Sequence, residues 1–146
     1  MDDYELPDVE AITAEILKDL VGPDQIGTQR RKAFDRYESM LNSTKEYRLE
    51  DFDYILLKRR QGYLTDAMTD ISGMEIRCIG KDRSRAMHLM DAVTKRMLGS
   101  EGEDFLGFLI DFCTVLSGPE EESTRLEDDL EIEKGFELHI RVKWKD

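Results

Sequence analysis

Asp70-Ile-Ser-Gly-Met-Glu-Ile-Arg-Cys-Ile-Gly80 runs directly into Lys81-Asp-Arg-Ser-Arg-Ala-Met-His-Leu-Met-Asp-Ala-Val-Thr-Lys-Arg-Met-Leu98. The first half alternates. Met74, Ile76 and Cys78 fall on one side, Glu75 and Arg77 on the other, which is the period of a half-buried strand. Gly80 breaks the alternation. Asp82 is placed to accept hydrogen bonds from the free amides of a helix starting at Arg83. Ala86, Leu89, Met90, Val93 and Met97 then recur at three- and four-residue steps and build one apolar stripe. Gly99 stops the helix. A strand and a helix joined this tightly must pack on each other, so this unit sets the core.

At 146 residues the chain reads as one domain, 1–146. A chain of this size buries roughly 70% of its unfolded surface. Charged residues make up 37% and the net charge is −12. Such a surface repels nucleic acid, because groove binding uses Lys and Arg to release counterions. A DNA-binding regulator is therefore disfavoured. Cys78 and Cys113 are the two cysteines. Both sit among apolar neighbours and read as small buried hydrophobes. With no CxxC pair they fit a reducing compartment. Met1-Asp-Asp-Tyr-Glu5 is acidic and is not expected to be a signal peptide. The most apolar run, Phe105–Cys113, falls far short of a membrane span.

Outward from the centre, Val9, Ile12, Ile16, Leu17 and Leu20 mark a helix over Pro7–Val21, ended by Gly22-Pro23. Thr28 is the expected cap of a second helix, inserted at 28–42, with Ala33, Phe34, Tyr37, Met40 and Leu41 on one face. The longer segment Asp24–Phe52 holds a basic island: Arg30, Arg31, Lys32, Arg36, Lys45 and Arg48. Tyr54–Leu57 starts a strand that runs into Lys58-Arg59-Arg60, and its unbroken apolar run suits a strand covered on both faces. Tyr63–Thr69 reads as a loop or a ragged strand. Phe105–Val115 reads as another strand, stopped by Ser117-Gly118-Pro119. The segment 119–133 is crowded with acids, among them Glu120, Glu121, Glu122, Glu127, Asp128 and Asp129, and is expected to be an exposed loop or arm. Phe136, Leu138, Ile140, Val142 and Trp144 alternate with Glu137, His139, Arg141 and Lys143, the cleanest strand pattern in the chain. The order implies an α+β domain: a largely antiparallel or mixed sheet with helices mainly on one face.

No catalytic constellation assembles. His88 and His139 lack metal-ligand spacing to Cys, Asp or Glu. No GxSxG turn, P-loop or dinucleotide loop is present. The acidic run lacks the alternating ligands and turn glycine of an EF-hand loop. Neither an enzyme, a cofactor nor a defined metal site is expected.

The order of motifs is nonetheless distinctive. Leu6-Pro-Asp-Val-Glu10 opens the first helix, and Lys58-Arg-Arg-Gln-Gly62 closes a strand. Thr69-Asp70 enters the Ile-Ser-Gly-Met-Glu-Ile-Arg-Cys strand, and Asp82-Arg-Ser-Arg-Ala86 opens the next helix. Ser117-Gly-Pro119 precedes the final Phe-Glu-Leu-His-Ile-Arg-Val strand. Over residues 5–22 and 53–144 this resembles the tail-terminator proteins of long-tailed (siphovirus-type) DNA bacteriophages, especially those infecting actinobacteria. The resemblance implies a curved sheet flanked by helices. It also implies a structural virion protein that forms a ring, usually of six copies, on the last ring of the tail tube. Such a ring halts tube growth and offers a docking surface to the head-completion or connector protein. DNA passes through its lumen without sequence-specific binding. Location would be the tail and neck of the virion, assembled in the host cytoplasm, with no membrane partner. Residues 24–52 depart from the family pattern. Another neck component and a small monomeric regulatory or ligand-binding α+β domain are the alternative readings.

A ring needs two complementary surfaces per copy. The candidate contacts between copies are Arg30, Arg31, Lys32, Arg59, Arg60, Asp66, Asp70, Glu75 and Arg77. The basic island is expected to pair with an acidic run of the next copy, at 2–24 or 120–133. The acids at 120–129 are candidates for the lumen wall, along which DNA would slide without sticking.

Overall fold

The computed structural model describes residues 4–60, 63–65, 69–123 and 130–144. Its elements, in chain order, are β1 (Tyr4–Glu5), α1 (Val9–Leu17), β2 (Ile26–Gly27), α2 (Arg30–Leu41), β3 (Tyr54–Arg59), β4 (Tyr63–Thr65), β5 (Thr69–Gly80), α3 (Arg83–Leu98), β6 (Asp104–Phe105), β7 (Phe108–Ser123), β8 (Leu130–Arg141) and β9 (Lys143–Trp144). The main sheet has the order β2-β3-β5-β8-β7-β6, with β4 also paired to β5. The long strands run antiparallel, while β2 lies parallel to β3, so the sheet is mixed. The fold is α+β.

The strand–helix unit forms as its sequence dictates. Asp82 accepts from the Arg85 amide at 2.9 Å, and Gly99 caps the C-terminus. Ala86, Leu89, Met90, Val93 and Met97 are all buried. They meet Met74, Ile76 and Cys78 of β5, Ile55 and Leu57 of β3, and Ile132, Phe136, Leu138 and Ile140 of β8. Helix α1 joins the same core through Val9, Ile12, Ile16 and Leu17. It is shorter than the expected 7–21. Asp8 rather than Pro7 sets its start, accepting from the Ala11 amide at 3.1 Å. Its end tightens into a turn in which the Leu20 amide donates to the Leu17 carbonyl.

Helix α2 takes the opposite face. Ala33 packs on Tyr54, Leu56 and Ile79, whose neighbours in sequence point to the main core. Tyr37 and Met40 form a second small cluster with Phe52. Thr28 does not cap this helix; its N-cap is Gln29, with no side-chain hydrogen bond. The loop after it is pinned by Gln25, whose amide nitrogen donates to the carbonyls of Glu50, Asp51 and Asp53.

Two expectations about the second half are corrected. Phe105–Val115 is not one strand. A turn with positive φ at both Leu106 (52°) and Gly107 (83°) folds β6 back on β7, the geometry that matches strand twist in a two-residue hairpin. The segment 119–133 is not simply a loop either. β7 continues to Ser123 and β8 begins at Leu130, with Glu120 opposite Glu133 and Glu122 opposite Glu131. Pro119 falls within an irregularity of the register, between Ser117 and Glu120, where proline is tolerated in a strand. The final strand ends at Arg141. Val142 is buried, and Lys143–Trp144 pairs separately with Tyr4–Glu5.

Gly80 joins β5 to α3 because nothing larger fits. A Cβ there would lie 2.8 Å from the Ala86 nitrogen and 2.9 Å from the Arg85 Cβ. Gly80→Ala is expected to cost about 1–3 kcal/mol, read as a lower urea midpoint at unchanged m-value.

Candidate functional site

Strand alternation places Tyr54, Leu56 and Lys58 of β3, Gly73, Glu75 and Arg77 of β5, and Glu131, Glu133, Gly135 and Glu137 of β8 on the face away from α1 and α3. Helix α2 covers the β3 end of this face. The remainder carries charge and two depressions, of about 330 Å³ beside Gly73 and Gly135 and about 360 Å³ beside Arg30 and Lys58.

Arg77 is the hub. Its guanidinium lies 3.2 Å from Glu75, 3.0 Å from Glu131 and 2.8 Å from Glu133. Arg60 binds Glu75 from one side. Arg30, at the start of α2, reaches Glu131 at 2.6 Å from the other. The Glu131 side chain is 0% exposed. The chain Arg60–Glu75–Arg77–Glu131–Arg30 thus crosses the sheet and ties α2 to it. Burial works to raise the Glu75 pKa, but hydrogen bonds from Arg60 and Arg77 outweigh it and hold the carboxyl below its ordinary 4.5.

Arg30, Arg60, Glu75 and Arg77 therefore come together, but within one chain. Arg31 and Lys32 stand exposed on α2. Arg59 and Asp70 lie on the opposite face: Arg59 donates to Ser72 at 3.1 Å, and Ser72 donates to buried Asp70 at 2.9 Å. Asp66, Glu127, Asp128 and Asp129 lie outside the described residues. Glu120, Glu121 and Glu122 lie in β7 rather than in a loop. Glu131 was hidden in sequence by its acidic neighbours, and its even alternation with Ile132 was the available signal. Glycines 73 and 135 were not singled out, because only strand register makes them neighbours.

Four further titratable groups are buried or paired within the fold. Asp53 is buried, and burial raises its pKa despite its ion pair with Arg85 at the start of α3. Burial pushes both thiols up, Cys113 to about 12 and Cys78 further, which leaves them poor nucleophiles at neutral pH. His139 sits between the Phe112 ring at 5.2 Å and Glu137 at 3.2 Å. Among the described residues no group of three or more His, Cys, Asp and Glu is arranged to hold a metal ion. No protein-family model matches the chain, and no curated protein matches it in sequence.

Removing the hub leaves Glu131 buried with one cation fewer. Arg77→Ala is expected to cost about 3–5 kcal/mol in urea unfolding at pH 7. Because the folded pKa of Glu75 is lowered, its contribution is present above the unfolded value and fades as pH falls through the folded one. Glu75→Gln should therefore unfold with a shallower acid dependence than the parent chain between pH 6 and pH 3, as measured by urea midpoints.

Proposed function

We propose that the chain is a structural subunit that assembles into a ring, a tail terminator of a long-tailed phage that caps the tube and receives the head. The observation that carries this reading is the asymmetry of the sheet. One face is sealed by α1 and α3, while the other is only partly covered by α2 and displays Phe112 and Leu116, 43% and 58% exposed, beside a charged network. A face of that composition suits a protein partner, with apolar contact for affinity and charge for orientation. The titratable clusters described above are consumed in holding the fold, which supports a structural role over a catalytic one. A ring also requires a donor and an acceptor surface on each copy, and the exposed basic start of α2 and the open sheet face are two such surfaces. The motif order read from the sequence supplies the phage setting.

The two depressions favour a second reading, a monomeric ligand-binding domain, because their volumes lie near the lower bound for small-molecule sites. One pair of measurements separates the readings. Native mass spectrometry with negative-stain imaging should give a closed ring of identical copies, and deletion of the gene should give overlong tails without heads. A stable monomer up to high concentration would sink the ring.

A further inference from the structure

The uncovered part of the open face has a floor without side chains. Gly73 of β5 and Gly135 of β8 lie two register positions apart on it, and Leu116 overhangs Gly73, its Cδ1 4.0 Å from where a Cβ would stand. Ile71 and Leu116 make one side of the resulting depression apolar, and Glu133 and Glu137 stand among its acidic lining. Apolar walls beneath a carboxylate rim suit a side chain with a hydrocarbon stem and a cationic head. Arg60 already uses the site this way, its stem against Gly73 and its head on Glu75.

One carboxylate of this face is left without a guanidinium, and Lys58, the face's remaining cation, stands at the β3 end by Glu75. Four carboxylates of this face, Glu75, Glu131, Glu133 and Glu137, meet three guanidiniums, those of Arg30, Arg60 and Arg77. Glu137 is the one these cations do not reach. Its described ionic partner is His139, and its side chain is 32% exposed. On α2, Arg31 and Lys32 are exposed and have no ion pair or hydrogen-bond partner among the described side chains. They cannot serve their own Glu137. Arg30 anchors the start of α2 at Glu131, and Glu137 is six residues further along β8, roughly 20 Å away at strand spacing.

We propose that the glycine-floored depression, with Glu137 at its rim, receives Arg31 and Lys32 from α2 of a second copy. The contact is head-to-tail: each copy offers a basic helix end and accepts its neighbour's on the open face. It rests on the ring reading and names its contact. It also replaces the pairing expected from sequence, in which the basic island met the acidic segment 120–133, since Arg30 is already engaged by Glu131 within one chain.

Complementary charge reversals test it. Arg31→Glu with Lys32→Glu reverses the donor, and Glu137→Lys reverses the acceptor. All are surface changes, and unchanged urea midpoints confirm folding. Each variant alone should assemble about tenfold more weakly than the parent chain, by light scattering and native mass spectrometry. Mixed one to one, the variants should assemble again, with the two masses alternating. If both variants form the parent ring undisturbed, the docking contact is overturned and the ring stands. If the folded variants lose assembly and mixing fails to restore it, the pairing is overturned. A monomeric parent chain overturns both.

Discussion

Twelve residues of β5 pair with twelve of β8, Thr69 with Arg141 through Gly80 with Leu130, and everything else is placed by that register. It aligns Met74 with Phe136 and Cys78 with Ile132 toward α1 and α3, and sets Arg77 opposite Glu133 on the other face. A slip of one residue would turn every side chain of one strand over. Glu75 and Arg77, or Glu131 and Glu133, would then face the helices, and the apolar set of that strand would lose its cover. The pairing is therefore specified twice, by hydrophobic burial on one face and by ion pairing on the other.

The ionic specification is costly in isolation. A buried carboxylate such as Glu131 loses several kcal/mol of hydration, about what its ion pairs return. Net stability is a weak reason for keeping it. Position is a better one. The apolar contact beneath the first turns of α2 is small, Ala33 against Tyr54, Leu56 and Ile79, and a helix on so small a patch could slide. Arg30 on Glu131 fixes where α2 begins. The same logic applies at Asp53, whose ion pair with Arg85 holds the loop before β3 against the start of α3. Helix placement on both faces thus depends on a buried acid that burial alone would disfavour.

This division explains what the sequence could reveal. The β5–α3 unit, the apolar face of β8 and the basic helix were legible because each is written in local periodicity. The burial of Glu131 was not. A dense run of acids reads as solvated until cations are brought to it, and its partners Arg30 and Arg77 are 101 and 54 residues away. Gly73 and Gly135 read as unrelated strand glycines for the same reason. The β6–β7 turn was missed because Leu106 occupies a positive-φ position that usually marks itself with Gly, Asn or Asp. Of the candidate contact residues, those one strand alternation apart on β5, Glu75 and Arg77, came together. Arg59 and Asp70 went to the other face by the same alternation.

The edges of the sheet bear on how copies would meet. β6 pairs with β7 only at Phe108 and Leu109, so most of the outer edge of β7 has no strand beside it among the described pairings. A long open edge ordinarily invites another strand. This one is unsuited to it. Three register irregularities interrupt β7, Pro119 removes an amide, and Glu120, Glu121 and Glu122 follow in succession. Each feature blunts strand addition. With the edge unsuited to backbone pairing, any association of copies would fall to side chains, and the sheet face outside α2 is where exposed apolar surface lies beside charge. Phe112 and Leu116 supply area there but no direction, since apolar contact tolerates many orientations. Glu137, half-buried at the rim beside His139, would supply direction, because its carboxylate is open to a cation only from the solvent side.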